Sequence, residues 1–288
     1  MIIYFVLAIT LFTGQNIAFK LFSQRFMRTK PSYFLFSSIY FACICLLFLI
    51  IGVDAARITP TLAWLSLLFA TSFISAMFLY MKAMEHGPLG LSFLFFSAGM
   101  LVPIIFGIVF YGEPAPIYKV AGLAMMFGAF YISASGDGEK KVSKKWVVYV
   151  ASGMVCNGFI GVAMKLFRLA APPEAVADFL FLAFGVGSCI ALAAGLALAF
   201  VFKEGARHFK SPVFIAIAAG AAVSTCFGNY IMVFMSLSVS ALVQFPVISG
   251  ALVITSILVS RFIFREEVTR KHLLSIGIGL VSIVTLSL

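Results

Sequence analysis

Ten apolar stretches of close to 20 residues fill this chain: roughly 2–22, 33–51, 61–84, 88–111, 116–135, 146–168, 175–202, 212–236, 240–264 and 270–288. A helix needs about 20 residues to cross the hydrocarbon of a bilayer. Backbone groups in hydrocarbon must be satisfied within the segment, so each stretch is predicted to be a helix. Pro31, Pro60, Gly87-Pro88, Pro114, Pro116, Pro172-Pro173 and Pro212 fall between the stretches, where chain direction changes. Only 10% of the 288 residues are charged and 63% are hydrophobic, against about a quarter charged in soluble domains. A soluble fold of this size could not hide so much apolar surface, so lipid is the expected solvent. The opening "MIIYFVLAIT" has no basic segment, and no A-x-A site precedes Lys20. Residues 2–22 are therefore read as a retained first span and not as a cleaved signal.

The longest polar stretch, "GDGEKKVSKK" at 136–145, divides the spans five and five. Span one closes on "AFKLF" (18–22) and span six on "AMKLF" (163–167). A shift of 145 positions superposes them and also pairs Tyr4 with Tyr149. Further on, "FYGEPAP" (110–116) corresponds to "FREEVTR" (264–270). The expected architecture is an all-α membrane protein of ten transmembrane helices. It forms two five-helix repeats, 1–138 and 139–288.

Because five is odd, fused copies must enter the membrane from opposite sides. Of the 20 lysines and arginines, only Arg57, Lys119, Lys165 and Arg168 belong to the even-numbered loops or their flanks; the other sixteen sit with the odd-numbered loops. Equivalent loops exchange charge: "QRFMRTK" is basic and "RLAAPPE" nearly neutral, while "GVDAARITP" is nearly neutral and "KEGARHFK" basic. Inverted repeats require this reversal when positive residues stay inside. Both termini are then expected outside the cytoplasm, in a bacterial cytoplasmic (inner) membrane. The net charge of +10 is explained by these loops and not by nucleic-acid binding.

Together, the doubled "KLF" ending and "MEHGPLGLSFLFFSAGMLVPIIFGIVFYGEPAPIYKVAGLAMMFGAFYIS" (84–133) resemble the drug/metabolite transporter superfamily, specifically its ten-span EamA-like members. The likeness lies in a Gly-Pro start, a small-and-aromatic fourth span, the Gly112-Glu113 turn and a Gly-studded fifth span. The second half keeps Glu267 and loses the glycine. The resemblance implies secondary transport or exchange of a small metabolite through a cavity between the halves. Half-size relatives carry a membrane glutamate eight residues before the lysine. Phe12 and Asn157 occupy those positions here, which argues against proton-for-cation drug export.

The polar groups deep in the spans are neutral: Gln15 and Asn16 in span one, Ser97 in span four, Asn157 in span six, Asn229 and Tyr230 in span eight, Gln244 in span nine. An amide in hydrocarbon either bonds a neighbouring helix or faces a cavity. The family's cavity-enclosing spans favour the cavity. Tyr80, Phe93, Phe95 and Phe96 could supply its aromatic walls. Amides and aromatics without buried charge favour a neutral or zwitterionic solute, amino-acid-like or hydrophobic. Lys20 and Lys165 would end their helices on opposite faces, either snorkelling to headgroups or gating the two mouths. Lys82, Glu85 and His86 share one face at the end of span three, as a solvated rim or a cytoplasmic latch. Asp178 is read as interfacial. Pro103 and Pro246 should bend spans four and nine. Ala124-x-x-x-Gly128 and Ser275-x-x-x-Gly279 mark close helix contacts.

An intramembrane enzyme would need a nucleophile with its base, a metal cluster or an acidic pair in the bilayer. His86, His208 and His272 all fall at loops, and Glu266-Glu267 is a loop pair. Cys43-x-Cys45 lacks redox or zinc spacing, and Cys156, Cys189 and Cys226 lie singly in apolar runs. The chain is thus read as a transporter, with no enzyme activity, cofactor or metal. A lipid or polyprenol-linked sugar flippase of the same fold is the alternative. Expected partners are the solute, a coupling proton, ion or counter-solute, and membrane lipid, with the protein a monomer or homodimer.

Overall fold

The computed structural model describes residues 2–26, 30–54, 57–112, 116–134, 143–202, 211–236, 241–266 and 269–287. They form eleven α-helices: α1 (Ile2–Arg25), α2 (Lys30–Ile51), α3 (Pro60–His86), α4 (Leu89–Ser97), α5 (Leu101–Tyr111), α6 (Ile117–Ala134), α7 (Lys144–Ala170), α8 (Val176–Phe202), α9 (Pro212–Ser236), α10 (Ala241–Phe262) and α11 (Arg270–Ser287). The described protein is all-helical. Seven of its helical segments are long and apolar enough to cross a membrane, and three more carry shorter apolar runs. Large apolar side chains such as Ile50, Trp64 and Phe200 stand exposed, a surface suited to hydrocarbon. The junction between the expected repeats, 138/139, lies outside the described residues.

Local sequence sets the breaks. Thr59 caps α3 by accepting from the Leu62 N–H at 3.2 Å, with Pro60 in the first turn. Ser143 caps α7 in the same way through the Trp146 N–H at 3.1 Å. The expected fourth span is two helices, α4 and α5, joined by a 3-10 turn at Ala98–Met100. The interruption sits a turn before Pro103, because the ring strikes the carbonyl four residues earlier, that of Gly99.

The most extensive helix pairs are α3 with α7, α2 with α8, α6 with α11 and α1 with α9, followed by α3 with α8, α2 with α9 and α4 with α10. Exchange α1, α2, α3, α4–α5 and α6 for α7, α8, α9, α10 and α11 respectively, and this set of pairs maps onto itself. Each pair joins a helix from residues before 138 to one from after it.

Apolar helices gain no hydrophobic free energy by meeting in lipid, so close approach and polar staples must hold them. Both are present. A Cβ on Gly158 would lie 2.3 Å from Val102 Cβ and 2.6 Å from the Gly99 carbonyl oxygen. Only glycine lets α7 lie against the α4–α5 junction this closely. On the far side, Ser275 and Ser282 of α11 donate to the carbonyls of Ala129 and Gly122 on α6, at 2.7 and 2.6 Å. This contact runs through Gly122 and Ala129 and not through the stripe expected on α6, where Ala124 is exposed and Gly128 faces open space. Of the stripe on α11, Ser275 meets α6 while Gly279 packs on Leu94 of α4. Around α2 and α8, aromatic rings fill the interior: Phe41 and Phe48 both meet Phe184.

Candidate functional site

A cavity of about 280 Å³ lies where α1, α3, α4, α7, α9 and α10 converge. Each wall is a helical stripe. On α1, Phe12, Gln15, Asn16 and Phe19 follow the i, i+3, i+4, i+7 spacing of one face, and Phe73, Ala76, Met77 and Tyr80 do the same on α3. Phe93, Phe96 and Ser97 share a face of α4, opposite Asn157 and Ile160 of α7. Thr225 and Asn229 of α9 and Leu252 of α10 complete the lining.

Six of the eight residues assigned to a cavity from sequence thus surround one space: Gln15, Asn16, Tyr80, Ser97, Asn157 and Asn229. The side chains of Tyr230 and Gln244 lie outside the described residues, as does that of Pro246. Phe95 is a correction. It is fully buried on the opposite face of α4, where its ring meets Trp146 edge-on at 5.9 Å. A helix turns about 100° per residue, so Phe93 and Phe96 face the cavity together while Phe95 cannot. Phe12, Phe19, Phe73 and Thr225 went unrecognised, although continuing each stripe from its polar member would have found them.

The polar groups are tethered in a consistent sense. Asn157 Nδ2 donates to the Phe96 carbonyl at 3.0 Å, and Asn229 Nδ2 to the Thr225 carbonyl at 2.7 Å. Tyr80 donates to Asn16 Oδ1 at 3.4 Å, and Asn16 Nδ2 reaches Ser256 Oγ at 3.5 Å. Thr225 donates to the Ala221 carbonyl at 2.8 Å, so Tyr40, 2.8 Å away, is the donor of that second pair. The Tyr80 ring stacks on Phe96 at 4.5 Å and meets Phe93 edge-on at 6.4 Å.

Lys20 lies one helical turn past Asn16, and it does not snorkel. Its side chain is 2% exposed and its ammonium stands 2.6 Å from Glu266 Oε1. It also donates to the Met84 carbonyl and, at 3.4 Å, to that of Gly87. Glu266 Oε2 in turn accepts from the Leu89 N–H at 3.1 Å and from the Ser260 hydroxyl. Five segments meet here: α1, the end of α3, the start of α4, the end of α10 and the loop after it. Glu266, which the sequence presented only as half of a loop pair, is the residue sequence reasoning missed.

The other mouth candidates separate. Lys82 and Glu85 form an i,i+3 ion pair at 2.7 Å with Glu85 partly in solvent, a rim contact of small energetic weight. Glu85 nonetheless borders the same surface recess as Lys20 and Glu266. His86 turns away, its Nδ1 2.9 Å from the Lys82 carbonyl and its ring 5.4 Å from that of Tyr149. Lys165 places its ammonium 5.5 Å from the centre of the Tyr111 ring, at the C-terminal end of α5. Asp178, in the first turn of α8, is 1% exposed. Its Oδ1 accepts from the Asp54 N–H at 2.7 Å, and its Oδ2 lies 3.8 Å from Arg57, which also donates to the Glu174 carbonyl at 3.0 Å. The loop after α2 is thereby held to the N-terminus of α8, where the helix dipole favours a carboxylate.

No family model and no curated protein matches the chain. The fold occurs among solved structures: one crystal structure superposes with a TM-score of 0.59 over 99% of this chain and 98% of that one, at 17% identity. At that identity the likeness concerns the fold alone.

Proposed function

We propose that the protein is a secondary transporter that moves a small neutral or zwitterionic solute through the central cavity by alternating access. The observation that carries this reading is the cavity itself: amides and aromatic rings from helices of both halves line it where the two sets of helices cross. The exchange-invariant pairing of α1–α6 with α7–α11 supports two repeats, which the reversed loop charge makes inverted. The ends of α1, α3 and α10 meet around Lys20, while the end of α2 meets the start of α8 around Asp178. This segregation supports ten alternating crossings, counting α4–α5 as one; the EamA-like assignment rests on the sequence resemblance alone.

In this reading Lys20 and Glu266 latch the cytoplasmic mouth. Their pairing ties the end of α1 to the α3–α4 junction and to the tail of α10, so separating the halves at that face must break it. Lys165 occupies the pseudo-equivalent position of the second repeat and reaches the end of the pseudo-equivalent span at Tyr111. Two lysine latches on opposite faces, opened in turn, suit a rocking mechanism.

Counterflow tests the function. Proteoliposomes preloaded with a broad pool of unlabelled amino acids and neutral metabolites should accumulate the labelled form of a transported member. Alanine at Gln15, whose amide bonds no described residue, should reduce that uptake with little loss of folded protein. No counterflow with any component of the pool would count against transport.

A further inference from the structure

We infer that the cytoplasmic mouth contains a carboxylate site whose resting occupant is the protein's own Glu266, and that a small carboxylate from the cytoplasmic side takes the site and holds the mouth open when Glu266 withdraws. This rests on the latch reading above and gives the latch a ligand.

The donors of this site stand on helices, and the acceptor stands on a loop. Glu266 Oε1 lies 2.6 Å from the Lys20 ammonium of α1. Its Oε2 accepts from the Leu89 N–H at the start of α4, at 3.1 Å, and from the Ser260 hydroxyl of α10. An ammonium, a backbone N–H at a helix N-terminus and a hydroxyl form a receptor for any carboxylate. Only chain connectivity reserves it for Glu266.

Two of the three donors stay together when α10 moves away. Lys20 donates to the Met84 carbonyl and, at 3.4 Å, to that of Gly87. Three residues on, Ser23 donates to the Met81 carbonyl at 2.8 Å. These bonds fasten the end of α1 to the end of α3, just before Leu89. Glu266 is fastened elsewhere, its N–H donating to the Ser260 carbonyl at 3.0 Å. Phe264, whose ring centre lies 5.9 Å from the ammonium, belongs to the same loop. Parting α10 from α1 and α3 therefore removes the anion from Lys20 and leaves the ammonium beside the Leu89 N–H. The carbonyls of Met84 and Gly87 are dipoles and do not neutralise a full charge. A recess bordered by Gln24, Glu85 and Pro88 reaches Lys20 and Glu266 from the surface. The Glu85 carboxylate in that recess is paired with Lys82 at 2.7 Å. A ligand that binds only the open arrangement shifts the population towards it.

The test reads how fast an impermeant maleimide reaches Ser97→Cys, which faces the cavity, in inside-out vesicles and a background lacking the five native cysteines. Acetate replaces chloride at constant ionic strength. Two charge-assisted contacts place Kd on the order of 1–10 mM. With about 50 mM acetate, labelling should accelerate about sixfold to fiftyfold, as 1 + [L]/Kd. Acetamide, the neutral isostere, should have no such effect, and Lys20→Met should abolish the acceleration. In Glu266→Ala the deleted atoms are those of acetate, and all three donors face an empty site in the closed mouth. There acetate should slow labelling, the opposite sign. No acceleration in the parent, equal acceleration by acetamide, or acceleration that survives Lys20→Met overturns the inference. Unchanged or faster labelling of Glu266→Ala on adding acetate overturns it as well. Should Glu266→Ala not fold, the parent and Lys20→Met decide alone. Uptake of labelled acetate above that of protein-free vesicles marks the ligand as a transported solute, and uptake equal to theirs marks a cytoplasmic effector; the site stands in both. The rate of Lys20→Met without acetate reports on the latch itself, so the two failures are read separately.

Discussion

If the Lys20–Glu266 pair latches the cytoplasmic mouth as proposed, replacing Lys20 with methionine should open it. Methionine keeps the length and packing of the stem but removes the ammonium, leaving Glu266 with the Leu89 N–H and the Ser260 hydroxyl. Breaking one side of a buried ion pair costs about 3–5 kcal/mol, because the remaining charge stays desolvated. Glu266 retains 19% of its side-chain surface, so the lower end, about 3 kcal/mol, is appropriate. If both groups are hydrated when the mouth is open, this cost falls on the closed state alone. The open fraction then rises about a hundredfold, at tenfold per 1.4 kcal/mol. A cysteine at position 97, in a background lacking the five native cysteines, reports the change. In inside-out vesicles its modification by an impermeant maleimide should accelerate by about that factor in Lys20→Met. Adding Glu266→Gln removes the stranded charge, and the rate should return to within about tenfold of the parent. An unchanged rate in the single variant, or equal rates in single and double, would falsify the latch.

Three further outcomes follow from other parts of the fold. Gly158→Leu drives a side chain into Val102 and the Gly99 carbonyl, and should destabilise the protein by about 1–3 kcal/mol or more in a denaturant titration; a wild-type midpoint would contradict the close α7 packing. Asp178→Ala strands the Asp54 N–H and leaves Arg57 with Asp54 and the Glu174 carbonyl, a loss of about 1–3 kcal/mol that should appear as faster proteolysis of the loop after α2. A reporter active only in the periplasm, fused after Leu288, should be active; a fusion active only with a cytoplasmic reporter would reverse the orientation.

Much of the frame was readable because bilayer thickness imposes one length on every helix, and short loops leave little freedom. Small residues four apart signalled close approach without naming the partner: Ser275 bonds Ala129 of α6, Gly279 packs on Leu94 of α4, and Ala124 and Gly128 take no part in the contact of α6 with α11. The cavity amides stood out because Gln15, Asn16, Asn157 and Asn229 interrupt otherwise apolar runs. What failed were statements about direction and distance. Phe95 was grouped with its neighbours by adjacency, when the 3.6-residue period separates it from Phe93 and Phe96. The Pro103 bend was foreseen, but its position a turn upstream reflects the carbonyl the ring displaces. The partner of Lys20 lies 246 positions away in a loop, and no local pattern can announce it; only the placement of α1 beside α10 does.

The cross-pairing of α1–α6 with α7–α11 has a consequence for synthesis. The amino-terminal helices leave the ribosome first, yet the surfaces that will cover their interior stripes are still unmade. Asn16 must wait for Ser256, Lys20 for Glu266 and Tyr40 for Thr225. Until the carboxy-terminal helices emerge, these groups have only lipid, water defects or a chaperone for company. Nascent chains stalled near the midpoint should therefore be the form most vulnerable to membrane proteases.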